Sequence, residues 1–457
     1  MNFTSFDIAT LTGSRLMGTG LRPVAEAVLD HRLLPEAGGL FLAMVGERTD
    51  GHRFVAAAAQ AGASAAIIQS DRVDELSHLS STMDLIVAND VQKALWHLAQ
   101  ANREGHQVPT VAITGSSGKT TTRSLLQSGL TAVSGQGCCT RGNQNNLLGV
   151  PLTLCRLSKD DRYLVAELGS NAFGEIQQLA TLVRPQIGVI TLVARAHLEG
   201  FGDIHGVLKE KSALARAVPA DGAVVIPSFD PLLAQAGSTW SAATVTFGYE
   251  KGDAVRIRDE KEGITVTAVV DVEGTVVKLA LPVCGVFNVR NAAAALAVVN
   301  LLGGDVKTAA LAMGEFRAES MRMESRQWRG CTVIVDAYNA NPESMKAALA
   351  TLKGLEATRK IAVLGAMLEM GEHSDQVHRE VGKLAVDGAD LAIFLEDDNG
   401  PYMAGVNGSS KGVRAGSHTE AARLLSEAAL PGTAVLLKGS RGAAVEKVLH
   451  ALLEETD

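Results

Sequence analysis

The stretch Val111-Ala112-Ile113-Thr114-Gly115-Ser116-Ser117-Gly118-Lys119-Thr120-Thr121-Thr122 has the residue types and spacing of a phosphate cradle. The apolar run after Pro109 predicts a buried strand, residues 115–118 a tight loop, and Lys119 onward the first turn of a helix. Glycines let backbone N–H groups approach an anion, and a helix N-terminus adds a favourable dipole. Lys119 supplies a point charge for terminal phosphates, and Thr120 or Thr121 offers a hydroxyl to Mg²⁺. An ordinary strand–turn–helix corner is the alternative, but it gives no reason for Gly-Lys-Thr behind an apolar strand. In the general motif the first glycine stands five residues before the second, a place held here by Ile113, so the loop is a shorter variant.

Other residues carry chemistry further along. Glu167 ends an apolar strand, where a carboxylate has little reason to be unless solvated or paired. Mg²⁺ takes oxygen ligands, one or two carboxylates among them, and Glu167 with Thr120 meets that need. His197 closely follows another apolar run, and a lone histidine there is more often a satisfied buried ring than a ligand. Thr140, Asn143, Asn145 and Asn146 fall within seven residues and are either turn formers or the wall of a binding site. Asn288 or Asn291 caps an alanine-rich helix or contacts a base. Asp336 follows a strand, in position to bond a ribose, with Tyr338 and Asn339 beside it. Lys211, flanked by Lys209, reads by composition as a solvated helix lysine.

The elements that position these residues alternate. Residues 1–86 read as a small α/β unit, with strands at 40–45 and 65–68, a helix at 54–59, and polar punctuation at Asp30-His31-Arg32 and 48–52. A helix around 92–99 opens a central region, 87–314, in which strands at 163–166 and 187–192 alternate with helices, the pattern of a mainly parallel sheet. Ligands in such sheets sit at the carboxyl ends of the strands, where Glu167 and His197 lie. From about 243 to 282 the period changes to two, which predicts an antiparallel meander packed beside the main sheet. Strand candidates at 332–335, 361–364, 391–394 and 434–437 predict a second, doubly wound sheet over 315–457, and 397–411 reads as a mobile surface loop. The fold class expected is therefore α/β with three domains.

Bulk properties exclude several functions. A chain of 457 residues exceeds one core, and 46% hydrophobic with 20% charged residues is ordinary for a globular protein. No apolar run is long enough to span a membrane, and the N-terminus lacks the marks of a secretory signal, so a cytoplasmic protein is expected. A formal charge of −8 argues against nucleic acid as a partner. Cys138, Cys139, Cys155, Cys284 and Cys331 show no metal-ligand spacing and read as buried thiols.

The cradle Thr-Gly-Ser-Ser-Gly-Lys-Thr-Thr resembles that of the Mur ligases, which build the peptide of bacterial cell-wall precursors. Residues 140–146 (Thr-Arg-Gly-Asn-Gln-Asn-Asn), 196–202 (Ala-His-Leu-Glu-Gly-Phe-Gly), 338–342 (Tyr-Asn-Ala-Asn-Pro) and 438–441 (Lys-Gly-Ser-Arg) are similar to the branch that adds D-alanyl-D-alanine. The resemblance spans the chain. It implies an ATP-dependent amide ligase joining UDP-N-acetylmuramoyl-tripeptide to D-alanyl-D-alanine through an acyl phosphate, acting as a monomer with two Mg²⁺. It implies a UDP-substrate-binding domain at 1–86, an ATP-binding domain at 87–314 and a ligase domain at 315–457.

By the same resemblance Gly115, Ser116, Ser117, Gly118, Lys119, Thr120, Thr121, Asn288, Asn291, Arg322, Asp336, Tyr338 and Asn339 belong to the ATP site. Arg32, Thr140, Asn143, Asn145, Asn146, Lys438, Ser440 and Arg441 belong to the substrate site. Thr120, Glu167 and His197 are metal ligands, and Lys211 matches a lysine that becomes carbamylated. Lys119, Glu167, His197 and Lys211 are the catalytic set. Three places depart from the family pattern: His31 stands for a serine, Phe287 for a histidine and Ala366 for an aspartate. The competing readings are a ligase for an earlier stem residue or for folate glutamates, and, in another class, a switch that hydrolyses ATP to change shape.

Overall fold

The computed structural model describes residues 1, 3–36, 38–47, 49–396, 400–406 and 408–454. Arg48, within the polar punctuation, and residues 397–399 and 407 of the expected loop lie outside them. The chain divides into two compact units, one of Met1–Ala112, Gly135–Ser170 and Glu175–Gln186, the other of Ile113–Ser134, Asn171–Gly174 and Ile187–Asp457.

The first unit carries a five-stranded sheet in the order Arg15–Met17, Asp84–Ala88, Ala65–Gln69, Gly39–Leu42, Glu26–Val28, parallel except for the first pair. Its inner strands are buried along their length, which is why they read as continuous apolar runs. Asp84 is the polar exception: fully buried, it accepts from Thr19 N at 2.8 Å, Gly20 N at 3.1 Å and the Ser5 hydroxyl. That carboxylate gathers an N-terminal segment with a helix, Ser5–Thr12, that local patterning did not foretell. Helix Val91–Glu104 starts at Asp90, whose side chain accepts from Lys93 N, and Asn102 donates to Leu154 O and Leu157 O to hold helix Gly149–Arg156. Strand Leu164–Glu167 pairs in parallel with Cys138–Cys139.

In the second unit Ile187–Ile190, Ala223–Pro227, Ala243–Gly248 and Val255–Lys261 lie side by side in parallel. Val266–Val272 and Thr275–Leu281 then add antiparallel strands to the same sheet. This corrects the expected meander, since Ala243–Gly248 is parallel to both neighbours and the hairpins extend the main sheet instead of packing beside it. Period-two alternation reports one buried face, here under helix Phe287–Leu301, and is silent about pairing direction.

A six-stranded sheet follows, ordered Glu324–Trp328, Cys331–Asp336, Thr433–Lys438, Arg359–Leu364, Leu391–Leu395, Gly412–Ala415, parallel except for its first strand. Both edge strands escaped the sequence reading, being polar or short. The expected surface loop contains a short helix, Pro401–Gly405, whose Tyr402 is buried, donates to Gly365 O at 2.8 Å and stacks on Phe394. That stretch is therefore anchored by an aromatic side chain, contrary to the reading as a mobile loop.

All five cysteines are buried and unbridged, and burial pushes the thiols of Cys138 and Cys155 up to about 12. Among the described residues no helix is long and apolar enough to cross a membrane.

His378, buried on helix Ser374–Gly388, fixes the loop that leaves strand Arg359–Leu364. Its Nε2 accepts from Met367 N at 2.9 Å and its Nδ1 donates to Ser374 O at 2.7 Å. Desolvation lowers its pKa from the usual 6.5, so below that pH the unfolded chain binds a proton that the folded chain refuses. Stability should therefore fall as pH drops below 6.5 through the depressed folded value. His378→Leu should cost about 1–3 kcal/mol at pH 8 by leaving Met367 N–H unpaired, and should flatten that slope. Denaturation midpoints of both proteins between pH 8 and 5 check it.

Candidate active site

The cradle forms where strand Thr110–Thr114 hands over to helix Lys119–Ser134. Gly115 and Gly118 have φ of +143° and +81°. A Cβ on Gly115 would overlap Thr191 Oγ1, and one on Gly118 the Asn291 amide, so both glycines are required by conformation and by space. Ser116 is pinned to the end of the adjacent strand: its N–H donates to Leu192 O at 2.9 Å, and its hydroxyl donates to Ala194 O and accepts from Ala194 N. Thr191 donates to Ser117 O. Lys119 Nζ lies 2.8 Å from Gly115 O, folded over the loop, and Thr120 is buried beneath it while Ser117 and Thr121 are half-buried. A glycine-shaped concavity at a helix N-terminus, with an ammonium across it, fits a polyphosphate.

Asn291 and Asn288 support the loop from helix Phe287–Leu301. Asn291 Oδ1 meets Thr122 Oγ1 at 3.4 Å, its amide donates to Asn288 Oδ1 at 3.0 Å, and Asn288 donates to Cys284 O at 2.7 Å. Neither caps the helix, whose N-cap is Val286 without a side-chain bond. Asn341 reaches the loop from the six-stranded sheet, donating to Ser116 O at 3.4 Å while capping helix Pro342–Gly354 with Ser344.

His197 sits in the left-handed region at φ +53°, just before the short helix Leu198–Phe201. Its Nδ1 bonds the carboxylate of Glu369, and its ring meets Phe201 edge-on at 6.3 Å. The bond to the imidazole holds the Glu369 carboxyl below its usual pKa. Lys211 is buried on helix Ile204–Ala217, with Nζ 5.7 Å from the Phe201 ring centre, whereas Lys209 lies over the half-exposed Phe173. Arg195 pairs with Glu343 at 3.1 Å and Glu380 at 3.2 Å.

The residues expected on the nucleotide from the last sheet are largely engaged with one another. Lys438, buried at the end of its strand, is paired with Asp336 and also donates to Asn339 O. Arg322 stacks over the Tyr338 ring at 4.1 Å. Ser440 is buried, accepting from Leu368 N and donating to Ala340 O, while the exposed Arg441 bonds Glu446.

The remaining expected residues belong to the first unit. Glu167 is buried, its Oε1 accepting from Asn145 Nδ2 at 2.9 Å and its N–H donating to Thr140 Oγ1 at 2.9 Å. Asn146 Oδ1 accepts from Leu148 N and Gly149 N at the start of a helix, and Asn143 is exposed. Arg32 is exposed and forked onto Asp30, whose carboxyl that bond lowers to about 2. His31 stacks on Phe54.

Sequence reasoning missed Thr191, Asn341 as a cradle partner, Arg195 and Glu369. Nothing local marks Thr191, Arg195 or Glu369, since each acts on a residue far along the chain. Only Asn341 had a usable signal, as an N-cap beside a helix-opening proline.

Three family patterns match the chain: the Mur ligase family catalytic domain over residues 36–117, the Mur ligase middle domain over 113–299, and the Mur ligase glutamate ligase domain over 321–441. A UDP-N-acetylmuramoyl-tripeptide--D-alanyl-D-alanine ligase of Synechocystis sp. is 33% identical over 98% of this chain and 97% of its own length. The like-named protein of Bacillus subtilis is 32% identical over 96% of each. The crystal structure of MurF from Acinetobacter baumannii matches with a TM-score of 0.88 at 29% identity, covering 99% of both chains. That of MurF from Thermotoga maritima in complex with ADP matches at 0.81 and 26% identity, covering 95% of this chain and 99% of that one. Likeness over nearly the whole of each chain gives them a common mixed α/β fold.

Because Asp336 neutralises a lysine that is only 2% exposed, it has a structural role independent of any nucleotide. Asp336→Ala should cost about 3–5 kcal/mol by leaving that ammonium buried and unpaired, with the loss present in nucleotide-free protein. Thermal unfolding without ligand measures it, and the double variant Asp336→Ala with Lys438→Met should regain much of the loss.

Proposed function

Because the chain belongs to the Mur ligase family, we propose that it joins UDP-N-acetylmuramoyl-tripeptide to D-alanyl-D-alanine with conversion of ATP to ADP and phosphate. The observation that carries this reading is the cradle of residues 115–120, in a chain whose relatives along nearly its whole length are named for that reaction. The ADP-bound neighbour supports ATP as the nucleotide. A cytoplasmic location, where ATP is supplied, is part of the proposal, as is action as a monomer, since every proposed residue lies within one chain.

The tripeptide's terminal carboxylate attacks the γ-phosphorus, the bond to the β,γ-bridging oxygen breaks, and ADP leaves an acyl phosphate. The amine of D-alanyl-D-alanine attacks the acyl carbon, phosphate departs with one former carboxylate oxygen, and the amine loses a proton. Lys119 holds the terminal phosphate and offsets charge spread over its oxygens. Gly115, Ser116, Ser117, Gly118 and Thr121 complete the cradle, and Asn288, Asn291, Arg322, Asp336, Tyr338 and Asn339 are assigned to the nucleotide side. Arg32, Thr140, Asn143, Asn145, Asn146, Lys438, Ser440 and Arg441 are assigned to the peptide substrate. For Lys438 and Ser440 the role is indirect, through the loops they fasten.

Mg²⁺ at two sites, when bound, neutralises phosphate charge. Thr120 and His197 are proposed ligands in the second unit and Glu167 in the first. Among the described residues no three acidic, histidine or cysteine side chains form a metal cage. Mg²⁺ draws part of its shell from phosphates and water, so its ligands need not all come from the chain. Lys211 is proposed to be carbamylated. Lys211 is buried on its helix, reaction with CO₂ would need its neutral amine, and the product is an oxygen-bearing anion.

ADP release should require both co-substrates together, each candidate tripeptide being tried in turn with D-alanyl-D-alanine. Equal release with neither would establish an ATP-hydrolysing switch instead. In the same assay Lys119→Ala should lose about 10²- to 10³-fold, the scale of one transition-state charge contact, with an unchanged melting temperature. Lys211→Ala should be nearly inactive and partly rescued by a small added carboxylate, while Lys209→Ala stays close to wild type. Activity lost in Lys209→Ala and kept in Lys211→Ala would refute the assignment.

A further inference from the structure

Two non-glycine residues with left-handed backbones meet: His197 at φ +53° and Glu369 at φ +63°. Each lies in the loop leaving the carboxyl end of a strand, Ile187–Ile190 for the first and Arg359–Leu364 for the second. Such conformations cost of order 1 kcal/mol or more per residue and persist where surrounding contacts over-determine them, typically at functional sites. The contacts here are of three kinds. His197 Nδ1 bonds the Glu369 carboxylate, Glu199 N donates to Glu369 O at 3.4 Å, and Gly371, at φ +54°, packs its backbone against Glu199. On either side the two loops are fastened independently, Arg195 by Glu343 and Glu380, and Met367 by His378. The His197 ring is thus clamped by a carboxylate from another sheet, with Phe201 against its side.

We propose that Glu369 is a positioning residue that sets the tautomer and direction of the His197 ring. An ionised carboxylate only accepts hydrogen bonds, so the Nδ1 facing it carries a proton, and in the neutral imidazole Nε2 then presents its lone pair. A histidine used as a ligand needs that arrangement, with a second acceptor fixing the opposite nitrogen. Glu369 rides on the loop after Leu364, so His197 is set for its task only while that loop is docked on residues 197–199. The proposal rests on reading His197 as a site residue, but the ring's proton can be located without any turnover.

The test is ¹⁵N NMR of histidine-labelled, nucleotide-free protein at pH 8, with the His197 signals identified by their absence in His197→Asn. Wild type should show His197 protonated at Nδ1. Glu369→Ala should shift the ring toward the Nε2-protonated form that a free imidazole prefers, whereas Glu369→Gln, whose amide oxygen still accepts, should keep the Nδ1 proton. In ADP-release assays kcat should fall about 10- to 100-fold in Glu369→Ala with KM for ATP unchanged, and Glu369→Gln should recover part of it. A ring that stays Nδ1-protonated in Glu369→Ala, or that loses that proton equally in Glu369→Gln, overturns the proposal. Failure of the ligase reading would instead show as wild-type protein with the expected ring and no co-substrate-dependent ADP.

Discussion

The backbone from Gly115 to Gly118 is pressed so closely on Thr191 and Asn291 that a single methyl group at either glycine has no place to go. This contact fixes where the helix beginning at Lys119 starts, and so where its N-terminal dipole and ammonium point. Its partners are recruited from distant places: the neighbouring strand's end through Thr191, Leu192 and Ala194, the helix after the hairpins through Asn288 and Asn291, and the last sheet through Asn341. A loop held by so many elements is already shaped before ligand arrives. Preorganised donors are what stabilise charge that develops only as a phosphoryl group moves.

The second consequence is coupling between the cradle and the last sheet. The linker between them is tied down where Glu319 meets Arg123 and Ser124 of the cradle's own helix. Further on, Arg195, His197 and Glu199 are engaged by Glu380, Glu343 and Glu369. A reactive acyl phosphate survives only if water is kept from it, and a lobe docked on the loops around the phosphate is a physical means of doing so.

How much of this could be read from the residues alone follows from the range of each interaction. The cradle, its strand and its helix are contiguous in sequence, so residue type and spacing reveal them. The buried strands Gly39–Leu42, Ala65–Gln69, Leu164–Glu167, Ile187–Ile190, Arg359–Leu364, Leu391–Leu395 and Thr433–Lys438 announced themselves as apolar runs, and the cysteines as buried thiols. What the residues did not reveal is long-range pairing: His197 with Glu369 across 172 positions, Lys438 with Asp336 across 102, Asn341 with Ser116 across 225. Asp336 reads as a ligand contact because it follows a strand, and Lys438 by the family resemblance, but parallel register places them side by side, where opposite charges bind each other. The direction of Ala243–Gly248 was invisible because alternation encodes faces and not neighbours. Tyr402 was overlooked because one aromatic in a polar stretch carries no periodic signal.

The central claim is that the carboxylate is activated by phosphorylation on its own oxygen. Its most direct test is a turnover with tripeptide labelled with ¹⁸O in the terminal carboxylate, followed by mass analysis of the released phosphate. The account predicts one ¹⁸O per phosphate formed with amide product, since the oxygen that attacks phosphorus leaves with it. Phosphate free of ¹⁸O while the amide bond forms would contradict it.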